Sequence, residues 1–172
     1  MLEKVLRAVR QLAMVAWVGG LSFFAFVLAP VAFHRLASAH EAGLVVGGTL
    51  EILHWIGLIG GVLFYIATGI LWLRAEVPAR VAFAIEMALT GVMLAVTAYS
   101  QFRILPVMEQ DRVRAGGVIE TADIASPARL DFQRLHKLSE RLEGLVLFCG
   151  IGVVLMLARE AQWPETGKIE SL

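Results

Sequence analysis

The hydrophobic pattern divides the chain into four long apolar stretches joined by short polar connections and one longer loop. The first stretch, Leu12 to Phe33, contains 22 residues and no charged side chain. About 20 apolar residues, at about 1.5 Å each, cross a hydrocarbon core of about 30 Å, so this stretch predicts a membrane-spanning helix. Together the four stretches predict an all-α fold, an integral membrane antiparallel four-helix bundle within one domain, residues 1–172.

The polar connections set the approximate limits of the predicted helices. Ser38 and Glu41 have the spacing of a helix-starting capping box, and Ser126 followed by Pro127 reads as an N-cap with proline at the first helical position. Pro106 is expected to bend the third helix, because proline lacks a backbone N–H. The predicted spanning helices cover approximately residues 10–33, 45–74, 79–104 and 134–159, with a loop at 113–126.

Helices two, three and four are each predicted to be longer than the bilayer is thick. The extra turns of helix two begin at Ala39, those of helix three end at Arg112, and those of helix four begin at Pro127. All of them lie on the side of loop 113–126. We call these extra turns the collar. The predicted fold is therefore a membrane bundle with polar helix extensions on the long-loop side.

The composition supports a membrane location and excludes several classes of partner. Hydrophobic residues make up 58% of the chain and charged residues 17%, whereas soluble domains carry about 25% charged residues. The 15 basic and 15 acidic residues cancel, so we expect the lipid bilayer and no nucleic acid as a partner. The single Cys149 cannot form an internal disulfide, and the absence of a catalytic motif predicts a protein that is not an enzyme.

Basic residues close to the membrane suggest an orientation. Lys4, Arg7, Arg10, Arg74 and Arg80 lie in short segments on the side of the chain termini. Because short cytoplasmic segments are enriched in lysine and arginine, we expect cytoplasmic termini in a bacterial cytoplasmic membrane.

The fourth helix carries charge into its hydrophobic segment. Its uncharged run, Gly144 to Ala158, has 15 residues and would span only about 22 Å, so Glu140 and Glu143 are expected at membrane depth, where ionisable groups normally face the bundle interior. His136, Glu140 and Glu143 follow i, i+4, i+7 spacing and share one helical face.

The second helix places a carboxylate and an imidazole at the same level. Antiparallel counting brings Glu51 and His54 beside the collar, and carboxylate and imidazole pairs from two helices are ligands that bundle metal sites use. The candidate ligands for a divalent metal ion are therefore Glu51, His54, His136, Glu140 and Glu143.

Two other interpretations of the collar stay open. The same residues fit an interfacial salt-bridge network, and His54 and His136 fit axial ligation of haem or another tetrapyrrole between helices. The cations available to the network are Arg103, Arg134, Lys137 and Arg141.

Inside the bundle, two further features carry expectations. Glu86 lies at the depth of Arg7 and Arg10 and is expected to form an ion pair there. Gly57 and Gly61 form a small-xxx-small pair, which favours close helix packing. A solute path along the same face of helix two is the alternative.

Three patches of the chain resemble the family of small membrane proteins that includes eukaryotic transmembrane protein 205. The first helix carries Trp17, Val18, Gly19 and Gly20, followed by Phe23, Phe24 and Pro30. The end of the third carries Pro106, Val107, Met108 and Arg112, and the start of the fourth carries Leu135, His136, Ser139 and Leu142. The resemblance implies a role in the handling of metals or metal-containing drugs. This family usually has asparagine where this chain has Glu143.

The first helix is also similar to the wider group that contains copper-resistance protein D and a haem-binding protoporphyrinogen oxidase of bacteria. In that oxidase a histidine precedes the tryptophan by seven residues, and here that position is Arg10. The similarity therefore implies the fold rather than the haem chemistry.

The leading hypothesis from the sequence is a non-enzymatic membrane protein that binds or moves a cation or a small metal-containing solute through the collar. The alternatives are an accessory subunit of a larger membrane complex and a tetrapyrrole-binding membrane protein. The expected partners besides the bilayer are other membrane subunits or further copies of this chain in a homo-oligomer.

Overall fold

The computed structural model describes residues 1–160, and within them the backbone forms four long helices and no strand. All four are long and apolar enough to cross a membrane, which confirms the predicted all-α membrane bundle. The helices are α1, Leu2–Arg35; α2, Ala39–Arg74; α3, from the α-helix Val77–Tyr99 to the α-helix Leu105–Arg114; and α4, Pro127–Glu160.

Two of the four helices contain π-helical stretches. In α1 they are Val15–Gly19 and Phe24–Leu28, and in α3 the stretch is Ser100–Ile104. The stretch in α3 comes just before Pro106, which has no N–H to offer the preceding turn, so the hydrogen-bond pattern of the helix changes where the sequence predicted a bend. In contrast, α4 is one α-helix of 34 residues.

Side-chain caps start two of the helices as the sequence predicted. The Ser38 hydroxyl accepts a hydrogen bond from the backbone N–H of Glu41 at 3.1 Å, which caps α2. The Ser126 hydroxyl accepts one from the backbone N–H of Arg129 at 3.4 Å, at the start of α4. These bonds satisfy N–H groups that have no partner within the helix.

The loop between α3 and α4 begins with two glycines in the left-handed region. Gly116 has a φ of 85° and Gly117 a φ of 93°, and their N–H groups donate to the carbonyls of Val113 and Arg112. Such a conformation ends a helix and is easy only for glycine. Further along the loop, Ile119–Thr121 forms a short 3₁₀ turn with Ile119 buried.

The centre of the bundle is built around Trp17, of which only 3% is exposed. A Cβ added to Gly57 would lie 2.3 Å from Trp17 Nε1, and one added to Gly61 would lie 2.5 Å from Trp17 Cζ3. On the other side, a Cβ added to Gly150 of α4 would lie 2.6 Å from Val18 Cγ2. The glycine pair in α2 therefore makes room for the indole ring, which confirms close helix packing.

Candidate functional site

The bundle has an ionisable cluster near each end, and the first is centred on His54. This histidine is 2% exposed. Its Nδ1 lies 2.9 Å from Oε1 of Gln101 on α3, and its Nε2 lies 2.8 Å from Oε1 of Glu143 on α4. Three helices therefore meet through one imidazole ring.

The partner atoms constrain the hydrogen bonds that the His54 ring makes. An amide oxygen only accepts hydrogen bonds, so Nδ1 of His54 donates to Gln101. A neutral imidazole then has no proton on Nε2, and the contact with Glu143 needs one more proton, carried either by the imidazole or by the carboxyl group. A hydrogen bond therefore joins Nε2 of His54 to Oε1 of Glu143.

A cavity of about 910 Å³ opens beside this cluster, within the collar. All four helices line it: α1 with Leu21 and Phe24, α2 with Leu50, and α3 and α4 with Leu105 and Leu147 at its apolar base. This volume falls in the range of sites for small organic ligands, about 300–1,000 Å³.

Charged side chains surround the apolar base of the cavity. Its two arginines are already engaged: Arg112 pairs with Glu109 at 3.0 Å, and Arg129 donates to the backbone carbonyls of Glu120 and Ala122 at 3.2 and 2.8 Å. The bonds of Arg129 hold the 3₁₀ turn of the loop over the cavity. The glutamates in the lining are Glu51, Glu109, Glu120, Glu140 and Glu143.

The five predicted metal ligands all line or border this cavity but do not form one ligand set. His54 contacts Glu143, whereas His136 Nε2 contacts Glu140 Oε1 at 3.3 Å on the surface of α4, and Glu51 is exposed. Within residues 1–160, no group of three or more histidine, cysteine or acidic side chains is arranged to hold a metal ion. The five side chains lie at a similar level along the bundle, but they point in different directions around their helices.

The contacts in the structure also differ from those expected for the other two interpretations of the collar, a salt-bridge network and a haem site. Of the proposed network cations, Arg134 pairs with Asp131 at 3.7 Å. In the part of the chain that the structure describes, no ion pair joins Arg103, Arg134, Lys137 or Arg141 to the predicted collar acids. Both ring nitrogens of His54 are hydrogen-bonded, so His54 has none free to ligate a haem iron.

The second cluster lies at the end of the bundle that carries the chain termini. Arg10 is fully buried and forms an ion pair with Glu86 of α3. Its Nη1 and Nη2 also donate to Glu160 of α4 at 3.0 and 3.1 Å, and Arg7 donates to the same carboxylate at 2.9 Å. The pair predicted between Glu86 and the arginines of the first helix is confirmed for Arg10.

Aromatic rings enclose the guanidinium of Arg10. Its Cζ lies 5.1 Å from the centre of the Phe64 ring and 5.0 Å from that of Phe83. Such contacts favour the charged form of the guanidinium. Arg10 thus occupies a closed site, and Oε1 of Glu86 has no hydrogen-bond partner within residues 1–160.

Sequence reasoning missed two members of these clusters. Gln101 carries no charge, yet it lies on the face of α3 that already contains Glu86, Thr90 and Thr97. Extending that face by one turn would have found it. Glu160 is the last described residue of α4. The presence of two arginines and one acid at that depth was the available signal that another carboxylate is needed.

The chain belongs to the family described as a domain of unknown function, DUF4149, whose model matches residues 12–115. The match covers α1 from Leu12, α2 and α3, and it ends before α4. Neither a curated protein nor a solved structure matches the chain.

Proposed function

We propose that this protein binds a small amphipathic cation in the collar cavity. The observation that supports this most is the lining of the cavity, which combines an apolar base with five glutamates and two arginines. The five glutamates outnumber the two arginines, and within residues 1–160 Glu51 and Glu120 have no ion-pair partner, so the charge of the lining favours a positively charged ligand.

The spacing of the carboxylates favours an organic cation over a bare metal ion. A divalent ion requires several oxygen or nitrogen ligands at about 2.0–2.6 Å, converging on one point. Glu51, Glu140 and Glu143 instead lie around a cavity large enough for a ligand with an apolar body. A metal carried within an organic complex also meets this description.

The position of the cavity offers entry from the bilayer. The part of α1 beyond Phe24 packs chiefly on α2, so α1 and α4 separate toward the collar. Phe26 and Phe148 stand at the edge of the cavity and are 72% and 75% exposed. An amphipathic solute that is dissolved in the membrane therefore has a direct route to the glutamates.

The resemblance to the family of transmembrane protein 205 adds independent support. The resemblance to that family implies the handling of metals or metal-containing drugs, and a metal cation held in an organic complex would match the charge and size of the cavity. We also propose that the chain termini face the cytoplasm. This orientation rests on the basic residues at one end of the bundle, Lys4, Arg7, Arg74 and Arg80.

Binding of tetraphenylphosphonium to the purified protein in detergent tests the proposal. Tetraphenylborate has the same shape and the opposite charge, and empty micelles give the background. We expect saturable binding of the cation and weaker binding of the anion. Glu51→Gln and Glu140→Gln should each weaken cation binding about five-fold, or about 1 kcal/mol.

Glu76→Gln is the matched control, because Glu76 is exposed at the opposite end of the bundle. Its affinity for the cation should equal that of the unmodified protein. Equal binding of the two tetraphenyl ions, or unchanged affinity in both cavity variants, would contradict the proposal.

The accessory-subunit and tetrapyrrole hypotheses stay predictions. The first predicts another membrane protein that co-purifies in gentle detergent, and recovery of only a monomer or homo-oligomer counts against it. The second predicts a Soret absorption band that is lost in His54→Ala or His136→Ala, and a preparation reconstituted with haem that lacks the band disposes of it.

A further inference from the structure

Helix α3 presents a continuous polar face to the interior of the bundle. Glu86, Thr90, Thr97 and Ser100 are fully buried, and Gln101 is 7% exposed. At about 100° per residue these five positions fall within one arc of about 100°. An inward polar face in a membrane helix is costly, so it requires polar partners.

The hydroxyls on this face lack the partners that other hydroxyls in the bundle have. Ser22 and Thr49 donate to the carbonyl four residues earlier in their own helices, at 2.7 and 2.8 Å. In contrast, the buried hydroxyls of Thr90, Thr97 and Ser100 have no hydrogen-bond partner within residues 1–160. Buried polar groups of this kind are normally satisfied by internal water.

Thr68 of α2 extends the same feature. It is fully buried, its hydroxyl also has no partner among the described residues, and it lies one turn beyond Phe64, which contacts Arg10. The unpaired hydroxyls therefore come from two facing helices.

The polar face joins the two ionisable clusters. At one end, Glu86 pairs with Arg10, and Arg10 shares Glu160 with Arg7, whose side chain is 42% exposed. At the other end, Gln101 holds His54, and His54 pairs with Glu143, which lines the collar cavity. From Glu86 to Gln101 the helix rises about 22 Å, most of a hydrocarbon core of about 30 Å.

We propose that this face of α3 is a proton pathway across the bundle. A proton from water at the terminal end binds the free Oε1 of Glu86 and forms a carboxylic acid. It then moves along waters that are hydrogen-bonded to Thr90, Thr97 and Ser100 to the His54–Glu143 pair. Glu143 releases one proton to water in the cavity. One proton is taken up and one is released, and only O–H and N–H bonds change.

The charged groups around each end set the proton occupancy. Glu86 faces Arg10 of α1 and Glu160 of α4, with Arg7 bound to the same Glu160 carboxylate, and no titratable side chain of α2 bonds to it within the described residues. His54 faces the neutral Gln101 and the acid Glu143. Arg10 keeps its proton throughout, so it positions Glu86 and does not carry the transferred proton.

Met93 forms the narrow part of the pathway. It is fully buried, lies on the same arc between Thr90 and Thr97, and contacts the region of Gly150 on α4. The unbranched thioether changes rotamer easily. Its movement controls whether the two halves of the water chain connect.

Proton flux into liposomes tests this pathway. The protein is reconstituted with a trapped pH-sensitive dye, and a potassium gradient with valinomycin sets the membrane potential. We expect the lumen to acidify several-fold faster than in protein-free liposomes. Glu86→Gln and Thr97→Val should return the rate to that of protein-free liposomes, because each interrupts the chain while keeping the side-chain size.

Ser22→Ala and Thr49→Val are matched controls, because these hydroxyls bond within their own helices. They should leave the rate unchanged, and size-exclusion elution confirms that each variant is folded. Thr90→Val is a second variant in case Glu86→Gln fails to fold. A protein that conducts no faster than empty liposomes, or conduction that is equal in the pathway and control variants, overturns the proposal.

Discussion

The two ends of the bundle use the same kinds of side chain in opposite environments. At the terminal end, Arg10 is sealed between Phe64 and Phe83 and bound to two carboxylates. At the collar end, His54 is hydrogen-bonded to Glu143 beside a cavity of about 910 Å³. The charged side chains at the terminal end are bound to one another, whereas carboxylates at the collar end border the cavity. Access to the cavity, more than residue type, distinguishes the collar cluster, where we propose a binding site, from the buried cluster at the terminal end.

The strongest test of this comparison is to replace the buried cation Arg10. Arg10→Met should lower the free energy of unfolding by about 3–5 kcal/mol, because it leaves Glu86 and Glu160 buried without their partner. Denaturant titration in mixed micelles measures the change. Arg7→Met is the control, with an expected loss below about 1 kcal/mol, since Arg7 is partly exposed. Equal losses in the two variants would show that the terminal end is not closed.

The next prediction concerns the close contact between α1 and α2 in the middle of the bundle. Gly57→Ala should destabilise the fold by about 3 kcal/mol, because the new Cβ would overlap the Trp17 ring. In Gly69→Ala, an added Cβ meets nothing within 4 Å, and replacing a helical glycine should stabilise it by up to about 1 kcal/mol. The same unfolding titration compares them. A Gly57→Ala protein as stable as Gly69→Ala would mean that the helices are not in close contact here.

A smaller effect is expected from the collar cluster. His54→Phe leaves Gln101 and Glu143 without their common partner and should cost about 1–2 kcal/mol of unfolding free energy. The loss is smaller than at Arg10, because Glu143 borders the cavity and can turn to water. A loss as large as that of Arg10→Met would show that the collar end is as closed as the other.

The smallest effect is expected at the surface of α4. His136 and Glu140 form an exposed pair, with 45% and 64% of their side chains accessible. His136→Ala should therefore change the free energy of unfolding by less than about 0.5 kcal/mol. A large destabilisation would assign this pair a structural role and weaken the comparison between the two ends.

The fold was predictable because the features that set it are local. Four apolar runs, the caps at Ser38 and Ser126, and the double glycine at Gly116 each act within a few residues of sequence. The Arg10–Glu86 pair was also predictable, since a charge at membrane depth requires an opposite charge nearby.

The arrangement of the site was only partly predictable. Counting residues gives depth, but it does not give the direction in which a side chain points around its helix. Glu51 and His54 lie within one turn, and yet His54 is buried and Glu51 is exposed. The π-helical stretch Ser100–Ile104 further changes the direction of the turns in which Gln101 lies. The π-helical stretch thus affects Gln101, whereas the five predicted ligands form no metal-holding group within residues 1–160 because their side chains point in different directions around α2 and α4.

Helix α4 supplies one carboxylate to each end, Glu143 at the collar and Glu160 at the termini. It is also a single α-helix, whereas α1 and α3 contain π-helical stretches that can absorb strain. A displacement of α4 along its axis is therefore transmitted over about 25 Å as in a stiff rod. If the cavity holds the ligand proposed above, a load on Glu143 would reach Glu160 along α4 itself.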